Sequence, residues 1–301
     1  LSKGVKQVAR IENGIVMLKL IVIIIFIAVG ATAIHPDNYV PFIPAHKAGT
    51  HFGGLTGILA GASQIFIAYV GFDAIAANTA ETINPQKTMP KGLLGTLFLG
   101  TGFFVLVSLV LVGMFKYSIY AGNAEPAAFA LRKAGHYFTA NLLSLVAIIG
   151  IFSALIGILL ASSRLIYSFG RDGLLSSKLG KINTKHVPKN ALWSISLGAL
   201  ILASFFPFDF LATLVSAGTL VAFIFVSIGI YALRKREGID LPEAKFKMPG
   251  YPLLPAISAL VSIIIFWNLN IDAKLLMLVW FIIGIVIYFV YGMHHSNLNK
   301  K

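Results

Sequence analysis

Long apolar stretches recur along the chain, separated by short polar ones. A helix crosses the hydrocarbon core of a bilayer with roughly 20 residues. Stretches near that length run from Ile15 to Ile34, Leu55 to Ile83, Leu93 to Phe115, Asn141 to Tyr167, Ala191 to Phe206, Phe208 to Leu233, Leu253 to Leu269 and Leu275 to Tyr291. The pattern predicts an all-α membrane protein with eight transmembrane helices.

One stretch departs from the pattern. Between Gly53 and Gly92 the chain is apolar enough to cross, yet its middle reads Ile67-Ala68-Tyr69-Val70-Gly71-Phe72-Asp73. A glycine and a carboxylate at membrane depth are costly, and non-helical backbone survives there only where protein buries it or water lines it. The helix from Leu55 is therefore expected to break near Tyr69, as helices do that bind small solutes at the midplane. Splitting it frees carbonyls around Ile65 to Ala68, acceptors for an ammonium, and amides from Gly71 to Ala74, the positive dipole end that suits an anion. The competing reading is an ordinary span with one tolerated glycine. Tyr69, Phe72 and Asp73 beside Gly71 favour the break.

Composition agrees with the membrane assignment. With 57% hydrophobic residues, 12% charged residues and 23 Phe, the chain has too little polar surface for a soluble domain. The formal charge of +13 would point to nucleic acid in a soluble protein. Here the basic residues sit between apolar runs, as topology requires, and no nucleic-acid partner is expected. The absence of cysteine excludes disulfides and thiolate metal sites.

Basic residues also set the orientation. If Leu1 to Gly14 is cytoplasmic, most of the 24 Lys and Arg fall on that side, including Arg171 to Lys189 and Arg234-Lys235-Arg236; Lys47, Lys116, Arg132, Lys133 and Lys274 fall outside. Both ends are expected in the cytoplasm of a multi-pass cell-membrane protein. Leu1 is not an initiator methionine and the first residues carry no signal-peptide pattern, so the chain is expected to continue a longer one. Glu125-Pro126 opens AAFALRKAG, with Pro in a first turn and Gly135 past the end, which predicts a short surface helix over the outer mouth, a gating lid or a passive connector.

Beyond the break, three features bear on chemistry. Asp73 is a functional candidate as an intramembrane carboxylate, or an N-cap for the second half-helix; Glu81, eight residues on, reads as interfacial. Lys19, four residues into its span, either snorkels to the headgroups or faces the interior as a proton carrier. The span from Asn141 carries Ser144, Ser153, Gly157, Ser162, Ser163 and Arg164, mostly the small residues of close helix packing. Ser153, near mid-depth, offers an oxygen to an ion or a lysine. His35, His46 and His51 have no ligand spacing on a regular element, so neither metal nor other cofactor is expected.

The strings FIAYVGFDAIAANTAETINPQKTMPKG (Phe66 to Gly92) and SSRLIYSFGRDGLLSSKLGKIN (Ser162 to Asn183), with VARIENGIVMLKL (Val8 to Leu20), resemble amino acid permeases of the amino acid/polyamine/organocation superfamily. The likeness is greatest to the cationic amino acid transporter branch and its bacterial proton-coupled relatives. It implies the leucine-transporter fold, two inverted five-helix repeats whose first and sixth helices are broken at the substrate site. On that plan the chain supplies helices five to twelve of about twelve and lacks one to four. Residues 1–34 would close the first repeat, 53–234 form the second, and 235–301 hold two C-terminal helices.

The resemblance assigns the substrate amino group to backbone at Ile67, Ala68 and Tyr69, within a site running through Val70, Gly71, Phe72 and Asp73. It matches Lys19 to the lysine that replaces a sodium ion in proton-coupled members, with Ser153 near its eighth-helix partner. The function it implies is a proton-coupled secondary transporter for amino acids, with an exchanger or a non-transporting sensor as alternatives. No paired carboxylates, Ser/His arrangement or metal cluster supports an enzyme.

Overall fold

The computed structural model describes residues 5–50, 52–72, 75–76, 79, 82–183 and 187–297, with side chains from residue 12 onward. Its architecture is helical, in two compact units: Leu1–Pro44 with Gly95–Leu160, and Ala45–Leu94 with Ala161–Lys301.

The first unit contains α1 (Val5–Ala31), most of α3 (Pro85–Met114), α4 (Pro126–Lys133) and most of α5 (Tyr137–Arg171). Its core joins Phe26, Val110 and Met114 to Ala128, Ala130 and Leu131 of α4 and to Ala140. Gly30 permits the close approach of α1 to α3, since a Cβ there would lie 2.5 Å from Val110 Cγ1. The carbonyls of the last turns of α3 draw side-chain and loop donors. Tyr39 Oη donates to Leu109 O at 2.8 Å, Tyr120 Oη to Leu111 O at 2.6 Å, and Asn38 Nδ2 and the His35 amide to Gly113 O at 2.8 and 2.9 Å. Burial pushes the Tyr120 hydroxyl up to about 12.

The helix expected over Glu125–Gly135 forms as α4, with Pro126 at its first position and Gly135 at φ 87° beyond its end. It is less superficial than the sequence implies. Ala130 and Leu131 are fully buried, and Arg132 reaches both Glu125 (3.4 Å) and Ser144 of α5 (3.2 Å).

The second unit is arranged around α7 (Phe208–Arg236), which packs against α2 (Gly54–Ile65), α6 (Lys189–Phe205), α8 (Leu253–Trp267) and α9 (Ile271–Ile287). Ala217, Leu220, Leu269 and Ala273 are its buried centre. A π turn, Tyr288–Gly292, and a last helical turn lead from α9 to Asn297, whose amide donates to Asp172 O at 2.9 Å and whose side chain donates to Arg171 O at 3.0 Å.

Large apolar side chains cover the outside of these helices: Phe98 is 75% exposed, Trp193 66% and Trp280 62%. In water such surfaces are liabilities; a bilayer accepts them. Among the described residues five helical segments are long and apolar enough to cross, Glu12–Ala31, Pro85–Met114, Tyr137–Arg171, Phe208–Arg236 and Ile271–His295. The other three expected spans appear as shorter apolar helices, Gly54–Tyr69, Lys189–Phe205 and Leu253–Trp267. Two boundaries move for local reasons. Helix α3 starts at Pro85 rather than Leu93, because proline suits a first position and the Asn84 carbonyl accepts from the Lys87 and Thr88 amides. Beyond the break, the described residues before Asn84 are 3₁₀ turns and bends rather than α-helix to Ile83.

Candidate functional site

Helix α2 ends at Ile65 and tightens into a 3₁₀ turn over Phe66–Tyr69. Val70 then turns to extended backbone, φ −66° and ψ 130°, and Gly71 takes φ 122°, a region that L side chains rarely adopt. The helical ladder therefore stops within the stretch singled out in the sequence. Of the carbonyls expected to be free there, that of Ile67 accepts the Val70 amide at 3.0 Å, keeping one lone pair for another donor.

Two contacts hold the break in place. Ser63, 1% exposed, donates to Leu59 O at 2.9 Å and to Ile265 O of α8 at 3.1 Å, so α2 is bonded to its neighbour within its last turn. Phe66 and Phe72 flank Phe223 of α7 from both sides of the break, with ring centroids 5.9 and 5.6 Å away. Their aromatic surface gives the site an apolar wall. Ile67, Tyr69, Val70, Gly71 and Phe72 are half-buried and Ala68 is exposed; Asp73 and Glu81 lie outside the described residues. Past the break, Thr79, Gln86, Met89 and Phe246 line a cleft of about 470 Å³, where the Lys245 amide donates to Gln86 Oε1 at 3.2 Å.

A second constellation lies between α1 and α5 in the first unit. Lys19 is half-buried, and its stem rests on α5: a Cβ at Gly150 would be 2.8 Å from Lys19 Cδ. The side chain thus faces a helix. Ser153, one turn along α5 and 3% exposed, donates instead to Glu12 Oε1 at 3.1 Å. A hydrogen bond to a charged group is worth roughly 1.5–3 kcal/mol net. Glu12 was not singled out in the sequence, because it stands at the polar edge of its span. Its spacing of seven from Lys19, two helical turns on one face, was the available signal. Ser144 belongs elsewhere, in the Glu125–Arg132 cluster. Among the described residues no group of His, Asp and Glu has the arrangement of a metal site.

A backbone break backed by aromatic rings is a feature many folds can carry, but the chain also matches the family model for amino acid permeases over residues 2–293. The chain belongs to the amino acid permease family. It is 52% identical over 299 residues to a branched-chain amino acid permease of Lactococcus lactis, covering 99% of this chain and 63% of that one. It is 37% identical to a methylthioribose transporter of Bacillus subtilis (99% and 63%) and 27% identical to the chloroplastic cationic amino acid transporter 9 of Arabidopsis thaliana (99% and 62%). The chain thus spans under two thirds of the length of these relatives. The helical architecture suits the leucine-transporter fold of the family.

Proposed function

We propose that the protein takes up amino acids across the cell membrane as a proton-coupled secondary transporter, by alternating access around the break at Phe66–Phe72. The observation that carries this reading is the break itself, in a chain of the amino acid permease family. Backbone acceptors near Ile67, Ala68 and Tyr69 suit an ammonium, and the Phe72–Phe223 wall suits an apolar side chain. Together with the name of the Lactococcus relative, this makes leucine, isoleucine and valine the first candidates. In this reading the chain supplies the second inverted repeat, 53–234, and the sixth-helix half of the site. Asp73 lines it, and both ends of the chain lie in the cytoplasm.

Lys19 is the coupling group of this proposal. A cationic side chain at a helix centre costs roughly 2.5–3.5 kcal/mol on insertion scales, and it is retained where it does work. Charged, it ties α1 to neighbouring oxygens as a bound cation would; neutral, it releases them. The test is leucine uptake by the intact protein in vesicles with an imposed pH gradient. Acid outside should drive accumulation in the wild type. Lys19→Ala should abolish the response to the gradient, and Lys19→Arg should too, since arginine does not give up its proton. Accumulation by Lys19→Arg against a gradient would overturn the role of Lys19, and no amino acid uptake by the wild type would overturn transport.

A further inference from the structure

Glu12 lies on α1, at the polar edge of its apolar run. A carboxylate is one of the few side chains that give and take protons readily. This one is half-buried and accepts a hydrogen bond from the hydroxyl of buried Ser153 at 3.1 Å. The next α5 residue along the same face, Gly157, leaves only backbone there, its ideal Cβ position lying 3.7 Å from Glu12 Oε1. Two turns along α1, a rise of about 10.5 Å, the Lys19 stem crosses Gly150. Glu12 and Lys19 are thus presented, one above the other, to a single stripe of α5, and Ser153 stands between their contact points.

We propose that Glu12 is a second proton-handling group of this seam, working with Lys19 through Ser153; this rests on the transport reading above. Ionised, Glu12 accepts from Ser153 and offsets the positive charge of Lys19. When a proton adds to the carboxylate, the new O–H is itself a donor. Ser153 is then released to turn its hydroxyl away, toward the Lys19 side of the stripe. Loss of that proton restores the first arrangement, so the O–H bond that forms is the only one that breaks. Of the elements packed against Glu12, α5 brings Gly150, Ser153 and Gly157, none of them ionisable. Among the described residues of this unit, the charged group in register with it on α1 is Lys19.

The decisive variant is Glu12→Gln, which keeps an oxygen for Ser153 and removes the titration. In vesicles holding the intact protein, the ratio of leucine uptake with acid outside to uptake with neutral solution on both sides should fall toward one, with Glu12→Ala showing the same loss. Glu12→Asp keeps a carboxyl and should retain a ratio above one; it serves also if Glu12→Gln does not fold. A Glu12→Gln protein with the wild-type ratio, or a folded Glu12→Asp protein with none, would overturn the proposal while leaving transport standing. A wild-type protein that moves no amino acid would overturn the transport reading, and with it this one.

Discussion

Gly30 shows how much one residue decides here. Its missing side chain is the space occupied by Val110 Cγ1 at 2.5 Å and Met114 Sδ at 3.1 Å, two residues that are 5% and 1% exposed. Gly30→Ala must push α1 off α3 or force Val110 from its rotamer, and overpacking of this kind costs about 1–3 kcal/mol. The expected outcome is a lower unfolding temperature in detergent, partly restored by adding Val110→Ala; an unchanged temperature would show that the contact relaxes freely. The sequence makes such a glycine visible only as a small residue in an apolar run. Its partner, 80 positions on, is not deducible from spacing. The same holds for Glu12 and Ser153, which meet across 141 positions. Lys19 and Ser153 were visible as polar residues where apolar ones are expected, whereas Glu12, in a segment already polar, had no such contrast.

At the scale of elements, the break was legible because its cause is local. Gly71 with Tyr69, Phe72 and Asp73 interrupts an apolar run, and the ladder stops there. Helix α4 was legible for the same reason, through Pro126 and Gly135. What was not legible is how elements are anchored: Ser63 to Ile265, or the α3 carbonyls to Asn38, Tyr39 and Tyr120. The segment after α7 is another such anchor. Glu237 accepts the Ala244 amide at 2.6 Å and Arg234 Nη1 at 2.7 Å, which together hold its carboxyl below the ordinary carboxylate range, the amide contributing most. A carboxyl depressed by folding stabilises the fold above its unfolded value, and that contribution is lost as pH falls through the folded one. The loop should therefore stay ordered at neutral pH and loosen only as pH drops below the usual glutamate range, about 4.3. Asp240, held down by Arg236, adds to the same trend. Hydrogen-exchange protection of the Ala244 amide, corrected for intrinsic rates, should fall over that range. In Glu237→Ala it should be low throughout; protection equal to wild type in that variant would remove Glu237 as the anchor.

For the whole molecule, the number and placement of apolar stretches carried the membrane assignment, and motifs at Phe66–Gly92 and Ser162–Asn183 carried the family. Length was the weaker guide, since α2, α6 and α8 are apolar helices yet shorter than the five segments long enough to cross. Orientation follows from charge alone, and it has a direct test. Basic residues are retained on the cytoplasmic side during insertion, so the loop carrying Lys178, Lys181 and Lys189 should face the cytoplasm and the one carrying Lys47 the outside. These 301 residues contain no cysteine, so single replacements Lys47→Cys and Lys178→Cys, both at exposed positions, report against the labelling of the unreplaced protein as background. A membrane-impermeant maleimide applied to intact cells should label Lys47→Cys and spare Lys178→Cys, and opening the membrane should expose the second. The reverse pattern would place α1 entering from the outside. The carboxylate of Glu12 would then face the outer solution, and protons would reach the Lys19 seam through Glu12 rather than leave by it.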